Sequence, residues 1–187
     1  MRASGPEGWI RAKALSYVTQ PFRADRLTFN MGLDLREPFP KRPRLKDFDY
    51  TGTYAYFITI LTNDRALYFR EAKVVEGIIS ILNETAISEK FNVLTFCYMP
   101  DHLHLLVVGE DDQSNFKKFT NLFKQKSGYW FKKNYSENLW HLSYYDHVLR
   151  KEESIEGVAN YILGNPVRKG LVSNPREYPF SWSFYQG

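Results

Sequence analysis

Apolar residues recur along this chain with two different periods, and the order in which those periods alternate outlines a fold. The run YAYFITILT over residues 54–62 is dense in aromatic and β-branched side chains and is followed by the turn signal NDR, which predicts a buried strand. From about 70 to 88 the period changes, with Val74, Ile78, Ile81 and Leu82 at helical spacing. Two further apolar runs, NVLTFCYM (92–99) and HLHLLVVG (102–109), are separated only by Pro100 and Asp101, a turn pair that predicts an antiparallel hairpin. A second helix is predicted over about 113–132, with Phe116, Phe119, Leu122 and Phe123 in one stripe and Lys117, Lys118, Lys124 and Lys126 around it. SYYDHVLR (143–150) reads as a short strand. A last helix over about 152–164 turns Ile155, Val158 and Ile162 inward and stops where Gly164 and Asn165-Pro166 disfavour continuation.

Strand, helix, strand, strand, helix, strand, helix is the split βαββαβ order with one helix added. The expected class is therefore α+β: a ferredoxin-like antiparallel sheet with an additional C-terminal helix, the helix that carries Tyr161. Composition supports a packed core, since 43% of the 187 residues are hydrophobic and 17% aromatic, enough to offset ordering entropy. Cys97 is the single cysteine, so no internal disulfide is available, and its place in the apolar run TFCYM fits a small core residue in a reducing cytoplasm. No apolar run approaches the length of a membrane span and no secretory pattern opens the chain, so a soluble cytoplasmic protein without a membrane partner is expected.

Charge divides the chain. Residues 1–46 hold ten Lys or Arg against four acids, whereas residues 47–187 hold 15 bases against 17 acids. The basic segment lacks periodicity and contains PFPKRPR (38–44), whose three prolines forbid helix and remove backbone donors. It reads as an extended or disordered arm, either a solvated tail or a phosphate-contacting one, ahead of a second unit at 47–187.

Two places could carry chemistry. In MPDHLHLL, His102 and His104 sit at i and i+2 on a predicted strand, so alternation turns both imidazoles to one face, with Cα atoms roughly 6.6 Å apart. That arrangement suits two ligands gripping one cation, although two solvent-facing sheet histidines would read identically. Two imidazoles are too few for a closed structural zinc site, so a metal there needs another ligand and keeps an open position. In NYILGNP (160–166), Tyr161 and Asn165 are i and i+4 and share a side of the helix if it persists that far. A tyrosine can act as a nucleophile when a cation or base stabilises its phenolate; a half-buried packing role is the plainer reading for one of 13 tyrosines. His147, in YYDHVLR, reads as a sheet histidine rather than a ligand.

Taken with their surroundings, these segments resemble the REP-associated tyrosine transposases within the single-tyrosine HUH transposases. The likeness covers about residues 44–183 through RLKDFDYTGTYAYFITILT, MPDHLHLL as the His-hydrophobic-His motif, WHLSYYDHVLR, YILGNPVRKGLV and YPFSW, in that order. Departures at Leu61 and Leu142 touch no candidate chemical residue. The resemblance implies that His102 and His104 bind a divalent cation, magnesium or manganese, that Asn165 is a third polar ligand, and that Tyr161 is the nucleophile. It implies metal-dependent nicking and strand transfer of single-stranded DNA at REP-like hairpins through a 5′-phosphotyrosine intermediate, by a monomer or a homodimer. Arg42, Arg44 and Lys46 in the arm and Lys117, Lys118, Lys124 and Lys126 on the second helix are the candidate DNA contacts.

Two rivals remain open at this point: a non-catalytic module that binds single-stranded nucleic acid on a ferredoxin-like sheet, and a phosphodiesterase acting through water. Met31 lies shortly upstream of the resemblance, so residues 1–30 are expected to be an unstructured extension or the product of an upstream start; N-terminal sequencing of the native protein distinguishes the two.

Overall fold

The computed structural model describes residues 48–185. Five strands form one antiparallel sheet: β1 (Ala55–Thr62), β2 (Phe91–Met99), β3 (His102–Gly109), β4 (Trp140–Val148) and β5 (Ser181–Ser183), in the order β4-β1-β3-β2-β5. Among the described residues four α-helices accompany them: α1 (Ala72–Ser88), α2 (Phe116–Tyr135), α3 (Ile155–Leu163) and the single turn α4 (Asn165–Arg168). The first four strands thus carry the ferredoxin-like arrangement read from the sequence, with α3 as the added helix.

Alternation along the strands separates two faces with different tasks. Tyr56, Ile58 and Ile60 of β1 and Leu103, Leu105 and Val107 of β3 belong to the core cluster, together with Val74, Val75, Ile78 and Leu82 of α1 and Phe116, Phe119, Phe123 and Phe131 of α2. Tyr56 and Phe116 stack at 4.0 Å between ring centroids, an aromatic contact that contributes beyond its buried area. The intervening residues, Phe57 and Thr59 on β1 and His104 on β3, face the other way, toward α3.

Local chemistry explains where elements begin and end. The Asn115 side chain accepts from the Lys118 N–H and starts α2 at Phe116; Ser136, left-handed at φ 61°, ends it at Tyr135, three residues beyond the expected end. Ser154 caps α3 by accepting from the Gly157 N–H, so that helix begins at Ile155 rather than near 152. β4 starts at Trp140, earlier than the alternation of SYYDHVLR suggests, because a register shift opposite Ile60 and Thr62 breaks the pattern at its start.

β5 was not anticipated. Three residues are too few to show a period, and the strand is held by long-range contacts instead: Thr95 and Ser183 hydroxyls bond at 2.9 Å, the Trp182 ring stacks on Phe96 at 6.0 Å, and the Tyr178 hydroxyl donates to the Tyr98 carbonyl at 2.8 Å.

Gly109 closes β3 where the chain comes nearest to itself. A Cβ there would lie 2.1 Å from the Gly52 carbonyl oxygen and 2.8 Å from the Ser114 Cβ, while its own N–H donates to Tyr54 at 3.1 Å. Gly109→Ala is expected to destabilise the fold by about 2–3 kcal/mol, as overpacking against backbone does, read as a lower urea midpoint at unchanged slope; a midpoint within error of wild type would contradict this account.

Candidate active site

The β2–β3 turn, Pro100-Asp101, delivers two histidines onto the face opposite the core. Asp101 is anchored from both sides: its carbonyl accepts from the Thr62 N–H at 3.0 Å and the Thr62 hydroxyl at 2.9 Å, and its carboxylate lies 3.4 Å from the Arg65 guanidinium. Asp64 and Arg65 both have left-handed backbones, at φ 50° and 58°, an unfavourable pair for residues with side chains that points to a constrained turn at this end of the site.

His102 and His104 converge. Their Nε2 atoms are 3.1 Å apart, and each Nδ1 has its own partner: Asp101 Oδ1 at 2.6 Å for His102, Thr59 Oγ1 at 3.0 Å for His104. Burial pushes the Asp101 carboxyl up, but the hydrogen bond and charge of His102 and the charge of Arg65 outweigh it and hold the group below the usual aspartate value. An ionised carboxylate only accepts, so His102 carries its proton on Nδ1 and, in the neutral ring, a lone pair on Nε2. His104 is fully buried; that burial first, then the charges of His102 and Arg168, holds it neutral, well below 6.5. The Thr59 hydroxyl donates to or accepts from His104 Nδ1, so it supports either tautomer of that ring.

This geometry fits a shared cation. Two imidazole nitrogens about 2.1 Å from one metal, at an angle of about 90–110°, stand about 3.0–3.4 Å apart. The Asp-His and Thr-His pairs are the outer partners that orient such ligands. No group of three or more His, Cys, Asp and Glu among the described residues could complete a metal cage. Among the described residues, the two imidazoles are the nitrogen donors that this face offers to a cation.

Tyr161 stands on α3 over the same face. Its ring meets Phe57 edge-on at 6.2 Å, and Phe57 stacks on His104 at 5.6 Å, so one phenyl ring separates the candidate nucleophile from the candidate ligand. The Tyr161 hydroxyl is buried without a hydrogen-bond partner. Burial pushes the phenol up, and the charge of Arg168 partly offsets it. Asn165 is buried, and its Nδ2 donates to the carbonyls of Tyr161 at 3.1 Å and Ile162 at 3.2 Å, which leaves its amide oxygen as the end turned away from the helix. Helical geometry does persist from Tyr161 to Asn165, because Gly164 keeps a right-handed conformation (φ −74°, ψ −9°) and α4 starts at once with Pro166 in its first turn. No hydrogen bond joins Asn165 to either histidine.

The other sequence candidates fall elsewhere. α2 belongs to the opposite layer, where the Lys117 ammonium lies over the Tyr50 ring at 4.5 Å, Lys118 pairs with Glu89 at 2.9 Å, and Lys124 bonds the His141 and Leu142 carbonyls at 2.8 and 3.0 Å. Lys126 is exposed on that helix. Arg42, Arg44 and Lys46 lie outside the described residues. His147 bonds both Glu153 carboxylate oxygens at 2.8 Å, a sheet histidine with an acidic partner. Reading the sequence missed Thr59, Phe57, Asp101 and Arg168 as parts of this face. Asp101 had a signal as the neighbour of His102, while Thr59 and Phe57 become visible only once β1 is set beside β3.

A ferredoxin-like sheet with a paired-histidine face and a tyrosine helix defines a class, and comparison gives that class its family. The family model described as transposase, IS200-like, matches residues 51–165, and the chain belongs to this family of DNA transposition enzymes. A Haemophilus influenzae protein assigned as a REP-associated tyrosine transposase is 27% identical over 150 residues, covering 74% of this chain and 84% of the relative. The REP-associated tyrosine transposase of Escherichia coli K12 is 26% identical over 95 residues, covering 49% of this chain and 53% of its own. Among solved structures, a REP-associated tyrosine transposase bound to a REP hairpin superimposes with a TM-score of 0.62 at 18% identity, covering 74% of this chain and 81% of that one, which establishes the shared fold. No helix among the described residues is long and apolar enough to cross a membrane.

Two outcomes follow from this geometry. Because His104 has a depressed folded-state pKa, the unfolded chain binds a proton that the folded chain does not. Stability is complete above pH 6.5 and is lost as pH falls through the window below it, by at most about 1.4 kcal/mol per pH unit. Urea unfolding between pH 5 and 8 should show this slope, and His104→Gln should flatten it; equal slopes would reject a buried neutral His104. Thr59→Val, which keeps the shape and removes the Nδ1 partner, is expected to weaken manganese binding about 10–100-fold, followed by loss of the free-ion paramagnetic resonance signal. Unchanged affinity would show that Thr59 does not orient the ligand.

Proposed function

We propose that this chain is a metal-dependent nickase and joiner of single-stranded DNA at REP-like hairpins, with Tyr161 as nucleophile, His102 and His104 as metal ligands and Asn165 as the third polar ligand. The observation that carries this reading is the convergence of the two Nε2 atoms at 3.1 Å, each histidine oriented through Nδ1, on the face over which Tyr161 stands. Membership of the family, and relatives described as REP-associated transposases, one of them bound to a REP hairpin, supply the substrate class.

A divalent cation, magnesium or manganese, would supply Lewis-acid polarisation of the scissile phosphate. The protein's own groups do the rest. Asp101 and Thr59 hold the two imidazole rings in place through Nδ1, so little ordering cost falls on the bound state. The Tyr161 oxygen forms a bond to phosphorus as the bond to the 3′-oxygen breaks; the phenolic proton leaves for solvent, and the departing oxygen gains a proton as a 3′-hydroxyl. The phosphotyrosine retains the bond energy, so rejoining is the same step reversed with another 3′-hydroxyl and requires no nucleotide. Phosphates of the hairpin away from the cut are the partners we assign to the lysines of α2 and to Arg42, Arg44 and Lys46.

The test is incubation with end-labelled single-stranded hairpins from DNA flanking the gene, with manganese, magnesium or chelator, followed by denaturing electrophoresis. Wild type is expected to form a metal-dependent covalent adduct that Tyr161→Phe abolishes. Cleavage that survives in Tyr161→Phe would make water the nucleophile, and hairpin binding with neither cleavage nor adduct would leave a non-catalytic binding module.

A further inference from the structure

The reaction proposed above moves a charged phosphodiester against a phenol buried in an apolar setting, and the histidine pair addresses it from one side only. Charge developing on the remaining phosphate oxygens calls for a second cation near the nucleophile. Among the described residues, Arg65 and Arg168 border this face. Arg65 is committed to the Asp101 carboxylate, while Arg168, at the end of α4, is exposed and forms no ion pair with a described residue.

Arg168 is held in place. Its guanidinium carbon lies 4.3 Å from the centre of the Tyr161 ring, and its Nη2 donates to the Tyr161 carbonyl at 2.6 Å. One face of the fork is thus against the nucleophile's ring and one nitrogen is bonded to its carbonyl, while the side chain as a whole stays open to solvent. Space for this arrangement comes from Gly164: a Cβ there would stand 2.7 Å from Arg168 Nη1 and 3.3 Å from the Asn160 carbonyl oxygen. Backbone continuity supplies the direction, since the Arg168 N–H donates to the Gly164 carbonyl at 3.0 Å and carries the helical path two turns beyond Tyr161.

We propose that Arg168 is a phosphate-binding catalytic residue of this site, its guanidinium holding a non-bridging oxygen of the scissile phosphodiester in line with the Tyr161 oxygen. This rests on the reading of Tyr161 as nucleophile. A planar guanidinium suits the task, because its parallel N–H donors match two phosphate oxygens while its face stacks on an aromatic ring, whereas an ammonium meets a phosphate as a point charge without the fork. Arg168 transfers no proton; it stays bound while the tyrosine-phosphorus bond forms and the bond to the 3′-oxygen breaks.

The experiment compares wild type, Tyr161→Phe, Arg168→Ala, Arg168→Gln, Arg168→Lys and Gly164→Ala, using the same hairpins with manganese. Adduct formation is timed, hairpin affinity is measured by anisotropy, and folding is checked by thermal melting. Arg168→Ala is expected to slow adduct formation about 100–1,000-fold, the loss typical of a donor aimed at developing charge, with hairpin affinity within about threefold of wild type. Added guanidinium ion should partly restore the rate in Arg168→Ala or, should that variant melt early, in Arg168→Gln. Arg168→Lys should fall between, and Gly164→Ala, which retains every chemical group, should slow the reaction by displacing the fork. Adduct formation by Arg168→Ala at the wild-type rate, or an equal loss of rate and affinity without guanidinium rescue, would overturn the role of Arg168 and leave Tyr161 as nucleophile. Absence of any Tyr161-dependent adduct in wild type would overturn both readings.

Discussion

The register between β1 and β3 is the constraint on which the rest of this site depends. Pairing of Thr59 with His104 sets the hydroxyl beside the imidazole, and the same register puts Ile58 and Ile60 into the core on the opposite side. Side chains on a strand alternate with a period of two, so a slip of one residue would send His104 into the aromatic layer and Leu105 out of it. Core packing therefore enforces the geometry of the chemical face. Burial of Ile58, Ile60, Leu103 and Leu105 admits one register, and that register delivers Thr59 to His104.

The turn that joins β2 to β3 repeats this economy. Asp101 belongs to a two-residue connection and at the same time is the acceptor that orients His102, so the loop that sets the hairpin also sets a tautomer. Thr62, at the end of β1, holds the Asp101 carbonyl with both its N–H and its hydroxyl, so β1 supports one histidine through Thr59 and the other through Asp101. The left-handed backbones of Asp64 and Arg65 follow directly after that strand and bring a guanidinium to the same carboxylate. Both imidazoles are thus oriented by side chains fixed by the sheet itself.

Much of this was legible in the sequence, and what was not has physical reasons. Periodicity located four strands and three helices because each is long enough to show its period, and the Pro100-Asp101 pair marked the hairpin. β5 eluded it because Ser181, Trp182 and Ser183 are held by distant partners rather than by a local pattern. The start of β4 was hidden by a register shift. At the site, His102, His104 and Tyr161 are reactive types that draw attention on their own. Thr59, Phe57 and Arg168 are ordinary residues whose importance is their position beside a partner 45, 47 or 7 residues away, and only folding reveals those pairings.

The run from Tyr161 to Arg168 also has a bearing on how such a chain can change over time. Tyrosine, glycine, asparagine and arginine are arranged along eight consecutive helical positions, and each acts through its angle around one axis. Replacing a side chain there alters one contact, but inserting or deleting a single residue rotates everything downstream by about 100°. Arg168 would leave the Tyr161 ring, Gly164 would no longer lie beneath the guanidinium, and Asn165 would turn to another side. In this stretch the length constrains the arrangement as tightly as the residue identities do.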